Sequence, residues 1–456
     1  MTSVIRQARP APRAVTMELA ARVPAYQFDS LPADIIELVR QCIVDWFSVT
    51  LAALDDPVHH AMMRGAGQPV GSAHIIGHAD MYPIAAATLV NGTTAHALDF
   101  DDVNLAISGH PSAVIFSALL ALAEQEGSSG QDVISAFVAG YETACRVGRL
   151  VCPDHLNRGF HATGTVGGFG AAAACAHLLK FDATQTARAL GIAGTQASGL
   201  KAMFGTMVKP LHAGLAARSG LEAALFVLQG VDSRTDILEC ALGFAHTHSS
   251  DFNVATLDEE PTHFYLRNNL FKYDASCYGT YAAIECVRQL KTTHGFSAAE
   301  VDTVRVRADR SVNELCNIQR PLTGLQGKFS LRLNTAFALL GVDTGLIESY
   351  SDDAMTAQHV VALRDRVSVE LVDDWPSMQS EVTIRTKDGQ QYVHTIDGAV
   401  SDPDVAAQGR RIDDKFARLA GQALGGGQSQ LLLAAIQTLE HASNVRVLAG
   451  LCTKPS

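Results

Sequence analysis

Two short stretches in the first quarter of the chain concentrate histidines and carboxylates. The first reads His-Ala-Leu-Asp-Phe-Asp-Asp over residues 96–102, and Gly-His-Pro-Ser follows over residues 109–112. Because only 18% of the chain is charged, such a density of titratable groups needs an explanation. An apolar, helix-forming run begins at Ser112, which predicts Pro111 as the first helical residue and places His110 beside the positive end of a helix. The pattern favours a site for small anions.

The carboxylates of this region could also ligate a metal ion. However, Asp99, Asp101 and Asp102 form an Asp-x-Asp-Asp pattern without the glycine of an EF-hand loop, which is a weak signal for a metal. Helix capping and solvated loop charge are the structural alternative. Taken alone, the region leaves a functional and a structural role open.

A second candidate lies in the Gly-rich segment Arg-Gly-Phe-His-Ala-Thr-Gly-Thr-Val-Gly-Gly at residues 158–168. His161 precedes a predicted helix start, where backbone N–H groups and the helix dipole favour a carboxylate. The glycines resemble a phosphate loop, but the strand that a dinucleotide fingerprint requires does not precede them. A nucleotide is therefore not expected here.

Lys209 is the third candidate, within Gly-Thr-Met-Val-Lys-Pro-Leu-His-Ala-Gly at residues 205–214. It is flanked by apolar residues and precedes Pro210, which predicts a constrained turn rather than a solvated helix face. Its ammonium group would then be a fixed countercharge for a carboxylate. His212 falls inside the helix start and is interpreted as a structural hydrogen-bonding residue.

Further side chains that could face a cleft lie close together in sequence: Lys272, Cys277, Tyr278 and Tyr281. Cys277 could be a covalent nucleophile, but no histidine stands beside it, and a small packed thiol is the favoured interpretation. Later in the chain, Gly-Lys-Phe-Ser-Leu-Arg at residues 327–332 offers Lys328 and Arg332 as anion contacts, with solvated surface charge as the alternative.

Composition excludes several classes of protein. The 456 residues carry a net charge of −12 and lack a cluster of Lys and Arg, which argues against a nucleic-acid surface. No uncharged apolar stretch reaches the roughly 18 to 20 residues that a membrane span needs, so no membrane contact is expected. Nine cysteines without a Cys-x-x-Cys pair suggest reduced thiols and a cytoplasmic location.

The elements that must position these residues are mostly helical. Apolar residues three or four apart, between Gly, Pro and polar breaks, predict helices that pack on one another. The segment 167–176 is rich in small residues on nearly every face, which is typical of a helix buried on all sides. The predicted helices of this part span residues 34–54, 84–97, 112–126, 131–147, 164–179, 183–194 and 214–229.

After about residue 268 the pattern changes to a smaller α+β unit. Its predicted helices cover residues 276–293, 330–340 and 353–363, and its predicted strands cover residues 301–308, 367–372, 381–386 and 391–396. Helical periodicity returns at residues 413–424 and 429–440. The expected fold is therefore mainly α: a large all-helical domain (residues 1–267 and 400–456) with an inserted smaller α+β domain (residues 268–399), and a substrate site in the cleft between them.

Longer motifs identify the chain as similar to the MmgE/PrpD family. HALDFDD, GHPS, the GYE of residues 140–142, RGFHATGT, GTQASGLKAMFGTMVKPLHAG and KFS occur in the order and spacing of that family, from about residue 18 to residue 440. The resemblance implies an MmgE/PrpD fold and a homodimeric enzyme that acts on a small di- or tricarboxylate without a metal or organic cofactor. It agrees with the domain organisation expected above.

The resemblance further implies that a common set of residues lines the substrate pocket: Asp99, His110, His161, Lys209 and Lys272. Two positions depart from the pattern, since Tyr281 stands where many members have histidine and Leu333 stands where the decarboxylase type has tyrosine. Cys277 and Val103 replace a further histidine and a threonine of the decarboxylase type.

The activities in the family, 2-methylcitrate dehydration, cis-aconitate decarboxylation and iminodisuccinate epimerisation, share a carbanion alpha to a carboxylate. We hypothesise that His110, oriented by Asp99, is the base or acid on one face and that Tyr281 donates a proton on the other. His161 would act with them and would bind carboxylates together with Lys209, Lys272 and Arg332.

A tyrosine, with an ordinary pKa of about 10, is a poor acid for expelling hydroxide but can return a proton. This favours an iminodisuccinate-type epimerase. The alternative is a 2-methylcitrate dehydratase-like lyase, and cis-aconitate decarboxylation ranks last of the three. A carboxylate-binding protein that has lost catalysis is the hypothesis from a different class.

Overall fold

The computed structural model describes residues 13–260 and 262–453, so the first twelve residues of the predicted helical domain lie outside it. Helices dominate this part of the chain, which confirms the mainly α fold. The α-helices are α1 (Val15–Arg22), α2 (Ala33–Ala52), α3 (Pro57–Gly65), α4 (Ile84–Ala95), α5 (Pro111–Glu126), α6 (Gly130–Val151), α7 (Asp154–Asn157), α8 (Ala162–Thr165), α9 (Gly167–Leu178), α10 (Ala183–Thr195), α11 (Val208–Leu228), α12 (Phe244–His248), α13 (Tyr281–His294), α14 (Val312–Leu315), α15 (Gly324–Gly327), α16 (Leu331–Leu340), α17 (Asp352–Thr356), α18 (Gln358–Arg364), α19 (Val405–Leu424), α20 (Gly426–Gln437) and α21 (Arg446–Gly450). The strands are β1 (Ala73–His74), β2 (Met81–Tyr82), β3 (Val301–Asp309), β4 (Val367–Val372), β5 (Gln379–Thr386) and β6 (Gln391–Asp397).

Helix α9 forms the centre of the helical bundle. Every residue from Gly167 to Leu178 is buried, and the helix packs against α5, α6, α10 and α11. Its small side chains allow this close approach: a Cβ on Gly170 would lie 2.9 Å from the Ala144 Cβ and 3.0 Å from the Gly140 carbonyl oxygen. The prediction of a helix buried on all sides is confirmed.

Two helix starts matter for the site. Helix α5 begins at Pro111 with His110 as its N-cap, as predicted. Helix α11 begins at Val208, earlier than predicted, so Lys209 lies in a helix and the expectation of a constrained turn is wrong, although its side chain is largely buried and not on a solvated helix face. Pro210 does not prevent this start, because proline is tolerated in the first turn, where its missing N–H would have no helical partner.

The α+β unit contains a four-stranded sheet in the order β4-β3-β5-β6. Strands β3 and β4 are parallel, with Val304 opposite Val367, whereas β3/β5 and β5/β6 are antiparallel. Gly389 turns the β5–β6 hairpin with a φ of +87°. Helix α13 packs on β5 and β6, and α16 packs on β4. A separate apolar core, from Ala283 to Ile384, lies between these layers.

A third apolar cluster joins the unit to the bundle. Val49, Phe100 and Leu419 from the bundle side contact Ala275 and other residues of the unit, including Leu333, Phe337, Tyr350, Met355 and Val360. Helix α19 packs against α2, and residues up to Cys452 belong to the core of the bundle. The sequence limits of the two domains stay a prediction.

Within the described residues, α11 is long and apolar enough by composition to cross a membrane. In this fold it packs against α4, α5, α9 and α10, and about half of it is buried, while Phe226 and Leu228 near its end are exposed. Lys209, Arg218 and Glu222 interrupt its sequence.

Candidate active site

A cavity of about 310 Å³ lies between the bundle and the α+β unit. This volume is at the lower end of the usual range for ligand pockets, about 300–1,000 Å³, and suits a small molecule. The bundle contributes residues 56–58, 96–99, 205–207, Lys209 and Pro210, and the α+β unit contributes residues 275–277, Leu325, Lys328 and Phe329. We call this space the interdomain cavity.

Asp99 is the centre of the charged groups at this cavity. Its Oδ2 lies 2.9 Å from Lys209 Nζ, and its Oδ1 lies 3.0 Å from Lys272 Nζ. The Lys272 ammonium also donates to the Asp99 carbonyl oxygen at 2.6 Å. Asp99 has a φ of +52°, a left-handed conformation that aspartate adopts more readily than most residues. Such strained backbone is typical of functional sites, where the surrounding contacts maintain it.

The two ammonium groups decide the charge of Asp99. Burial alone would raise its pKa, but Lys209 and Lys272 outweigh burial and hold the pKa well below its usual range. Burial likewise opposes the charge of Lys272, yet Asp99 raises the pKa of this ammonium group. The site is therefore a fixed aspartate between two fixed cations.

His110 lies directly behind Asp99. Its Nε2 is 3.4 Å from Asp99 Oδ1, and its Nδ1 is 3.3 Å from Asp101 Oδ2. Asp101 also contacts His96, whose Nδ1 lies 3.0 Å from both carboxylate oxygens. Despite burial, which would raise it, the pKa of Asp101 is held well below its usual range by these two imidazoles. A carboxylate on each side of His110 can orient the ring.

His96 and His161 line up beside this group. Their ring centroids are 5.8 Å apart in a stacked arrangement, and His161 Nδ1 lies 3.1 Å from His212 Nδ1. Burial lowers the pKa of His96 to about 4. Burial and the neighbouring positive groups lower the pKa of His161 further. Both rings are thus neutral near pH 7 and can donate or accept one hydrogen bond at each nitrogen according to tautomer.

Close helix packing brings the distant segments together. Helices α4 and α11 cross at Gly92 and Gly214, where a Cβ on Gly92 would lie 2.9 Å from the Gly214 Cα. This contact sets the end of α4, which carries His96, beside the start of α11, which carries Lys209. The His110 backbone N–H donates to Thr163 Oγ1 at 3.1 Å and so fixes the start of α5 against α8.

A fully buried lysine, Lys415, donates hydrogen bonds to two of these segments. Lys415 Nζ on α19 lies 2.6 Å from Asp45 Oδ1 and donates to the carbonyl oxygens of Phe100 at 2.8 Å and Lys272 at 2.9 Å. Phe100 directly follows Asp99 in the chain, and Lys272 is one of the two lysines that contact the Asp99 carboxylate. Sequence reasoning did not find Lys415, because nothing in the local pattern of α19 indicates these contacts.

Of the residues predicted for the pocket, Asp99 and Lys209 line the interdomain cavity directly. His110 and Lys272 do not line the cavity but contact Asp99, which does. His161 lies beside this group, with its ring stacked on that of His96. All five predicted pocket residues thus lie in one region around Asp99. Their roles in binding and catalysis stay a proposal.

Two other predicted residues, Tyr281 and Arg332, are not among the residues that line the interdomain cavity. Tyr281 opens α13 and stacks on Tyr278 with ring centroids 5.2 Å apart, and it does not belong to the described lining of the interdomain cavity. Arg332 donates to Asn317 and is also absent from that lining. Both residues come from elements whose neighbours in sequence, Cys277 and Lys328, do line it. Cys277 and Lys328 were themselves candidates from the sequence, which therefore indicated the side chains that line the cavity here together with two that do not.

The spacing of four ligand atoms would allow a metal ion. Atoms of His96, Asp99, Asp101 and His110 lie within 4.8 Å of one another. However, each oxygen of Asp99 already contacts an ammonium group, and a divalent cation would have to bind against two fixed positive charges. The donor set therefore fits an anion in the cavity better than a cation among these residues.

Comparison with known proteins assigns both parts of the chain to one family. The sequence model for the MmgE/PrpD N-terminal domain matches residues 17–257, and the model for the MmgE/PrpD C-terminal domain matches residues 275–441. The cis-aconitate decarboxylase-like protein oryM of Aspergillus oryzae is 26% identical over 96% of this chain and 97% of its own length. Cis-aconitate decarboxylase of Aspergillus terreus is 26% identical over 97% of this chain and 96% of its own length, and the enzyme of Homo sapiens is 24% identical over 97% and 95%.

Proposed function

Since the chain belongs to the MmgE/PrpD family, we propose that it is an enzyme that binds a small di- or tricarboxylate in the interdomain cavity and stabilises negative charge on a carbon next to a carboxylate. The observation that carries this proposal is the pair of ammonium groups held on Asp99, with the His110 imidazole behind it. The curated relatives, which match nearly the full length of the chain, carry the name of an enzyme acting on a tricarboxylate.

Substrate binding follows from the charges at the cavity wall. Lys209 and Lys328 line the cavity from its two sides, so a dicarboxylate can place one carboxylate near each ammonium group. Burial lowers the pKa of Lys328 from its ordinary value. A bound carboxylate would favour the protonated form of this lysine and would be drawn to it in return. Lys272 remains paired with Asp99 and adds a positive charge next to the residues that line the cavity.

The proposed chemistry is the formation or quenching of a carbanion. When a bond at the carbon next to a carboxylate breaks, its electron pair spreads onto the carboxylate oxygens, and fixed cations stabilise this charge without reorganisation. Asp99 borders the cavity, and His110 behind it can take up or return the proton that moves. Asp101 on the far side of His110 stabilises the imidazolium form while it exists.

Two fates of the carbanion are candidates. A lyase-type reaction, in which carbon dioxide or another group departs, is favoured by the curated relatives, whose names describe decarboxylases. Epimerisation, in which a proton returns to the opposite face, requires a second proton-transfer group. Tyr281 was expected to supply it, but this residue neither lines the interdomain cavity nor, unlike His110, contacts a residue of the charged group around Asp99 in a described ion pair or hydrogen bond, which weakens that support. The lyase-type reaction is therefore our first candidate, and epimerisation is the second.

One panel of substrates tests the proposal. Cis-aconitate, citrate, 2-methylcitrate and a chiral aminodicarboxylate would be incubated with the protein and followed for carbon dioxide release, alkene absorbance and optical rotation. Turnover of at least one of them supports the proposal, and the signal identifies the reaction. A protein that binds these compounds in a calorimeter but changes none of them would contradict it and would favour a binding protein.

A further inference from the structure

Cys277 borders the interdomain cavity from the side of the α+β unit, together with Lys328. Its backbone is fixed on both sides: its N–H donates to the Lys328 carbonyl oxygen at 2.9 Å, and its carbonyl oxygen accepts from the Thr280 N–H at 2.9 Å and from Thr280 Oγ1 at 2.8 Å. The thiol is therefore held at the cavity wall by the turn that leads into α13. Such fixed placement is what a proton-transfer group needs.

The surroundings of this sulfur differ from those of a packed thiol. The neighbouring Cys316 thiol has the largest effect, and together with the Lys272 ammonium it outweighs burial and lowers the pKa of Cys277 to about 7. By contrast, burial raises the pKa of Cys152 to about 11 and that of Cys286 to about 12. Space for the two sulfurs depends on Gly279, because a Cβ there would lie 2.9 Å from Cys316 Sγ and 3.9 Å from Cys277 Sγ.

We propose that the Cys277 thiol is a catalytic residue that exchanges a proton with the reacting carbon from the α+β side of the cavity, while Asp99 and His110 act from the bundle side. This inference rests on the proposed function and adds a residue to it. In the protonating direction, the S–H bond breaks, its proton forms a C–H bond with the electron pair of the carbanion, and a thiolate remains. Water returns a proton to the thiolate after the product leaves. In the reverse direction, the thiolate removes the proton.

The charged groups around Cys277 suit this step. Lys272 stabilises the thiolate, whereas Asp99 opposes it, so neither protonation state is locked in. A thiol whose pKa lies near the working pH transfers protons in both directions with little penalty. The favoured interpretation from sequence, a small packed thiol, did not include this environment because Cys316 and Asp99 are distant from Cys277 in the chain.

The test combines labelling with kinetics. Wild-type protein would be treated with iodoacetamide from pH 5.5 to 9, with and without citrate, and the alkylated peptides would be counted by mass spectrometry. We expect Cys277 to react with a midpoint near pH 7 and to react at least fivefold more slowly when citrate is bound. Cys240→Ala, which alters a half-buried thiol of the bundle, is the matched control and should change neither result.

The Cys277→Ser and Cys277→Ala variants would then be assayed on the substrate that the wild-type protein converts. We expect kcat to fall at least 100-fold while the dissociation constant for citrate changes less than threefold, because the variants lose proton transfer and keep the lysines. If Cys277→Ala retains kcat within threefold of wild type, or if bound citrate does not slow alkylation of Cys277, the inference is wrong although the proposed function stands. If the wild-type protein converts none of the panel, the proposed function itself fails and this inference falls with it.

Discussion

Lys209 Nζ lies 2.9 Å from Asp99 Oδ2, although Lys209 belongs to the first turn of α11 and Asp99 to the loop after α4. The pair holds an ammonium group at the wall of a cavity where a substrate carboxylate can share it. Lysine needs such a partner, because an isolated half-buried ammonium group would move toward water. Asp99 therefore keeps the cation in place before the substrate arrives.

Replacing Lys209 by methionine should lower kcat/KM for the carboxylate substrate at least 100-fold. The substitution keeps the apolar stem and removes the charge that, in the proposed function, stabilises both the bound carboxylate and the carbanion; the expected loss corresponds to about 3 kcal/mol. Steady-state kinetics measures the effect. Lys180→Met, at a side chain that is 61% exposed, is the matched control and should keep wild-type kinetics. An active Lys209→Met enzyme would show that the ion pair with Asp99 is structural only.

Tyr281→Phe should leave kcat within about threefold of wild type. The ring stacks on Tyr278 and does not belong to the described lining of the interdomain cavity, so we expect no contact between its hydroxyl and a substrate bound there. Burial raises the pKa of this phenol, which further disfavours its use as a proton donor. A 100-fold loss of kcat with unchanged thermal stability would restore the role that the sequence suggested for this tyrosine.

Lys415 is expected to act as a positioning residue. Lys415→Met should lower the free energy of unfolding by about 3–5 kcal/mol, because it leaves the buried Asp45 carboxylate without its partner. The double variant Asp45→Asn with Lys415→Met removes that carboxylate as well and should recover much of the stability. Its kcat should nevertheless remain at least tenfold below wild type, because the Phe100 and Lys272 carbonyl oxygens lose their donor. Chemical denaturation and kinetics on the same samples separate the effect on stability from the effect on kcat. Full recovery of kcat in the double variant would refute a positioning role.

Buried histidines should make the protein less stable in mild acid. Burial lowers the pKa of His177 to about 4, from an ordinary value of about 6.5. Below pH 6.5 the unfolded chain takes up a proton at this position that the folded chain does not. Stability is therefore complete above that pH and falls as the pH decreases toward 4, by about 2 kcal/mol at pH 5 for this one ring.

His177→Gln tests this expectation away from the active site. Its Nε2 donates to the Tyr26 carbonyl oxygen at 2.8 Å, a bond that a glutamine amide can replace. The difference in unfolding free energy between pH 7.5 and pH 5 should be smaller in the variant by about 2 kcal/mol. An identical difference in both proteins would mean that His177 is protonated in the folded state.

The features that could be predicted from the sequence are those that depend on residues close together in the chain. Pro111 after His110 predicted a helix start because proline fits the first turn, and the small residues of α9 predicted a helix in the centre of the bundle. The start of α11 was placed too late, since Pro210 and the later Gly214 both resembled boundaries. There, packing against α4 favoured helix over the local signals.

The contacts between the residues of the site could not be predicted from the sequence. The sequence indicated Asp99, Lys209 and Lys272, but not that both lysines contact one carboxylate, because that depends on contacts between distant segments. Cys277 and Tyr281 are separated by a single turn, and which of them faces the cavity depends on where α13 begins. A shift of a few residues in a predicted boundary is enough to exchange them.

The most direct test of the account is deuterium exchange at carbon in the wild-type protein and in His110→Ala. Each protein would be incubated in deuterated water with the carboxylate that the panel identifies, and NMR would follow the label in the recovered substrate and product. The account predicts deuterium on the carbon next to a carboxylate with wild-type protein, and at least 100-fold slower incorporation with a folded His110→Ala variant. Incorporation at the wild-type rate in that variant would contradict it, and so would decarboxylation or epimerisation by the wild-type protein that places no deuterium on that carbon.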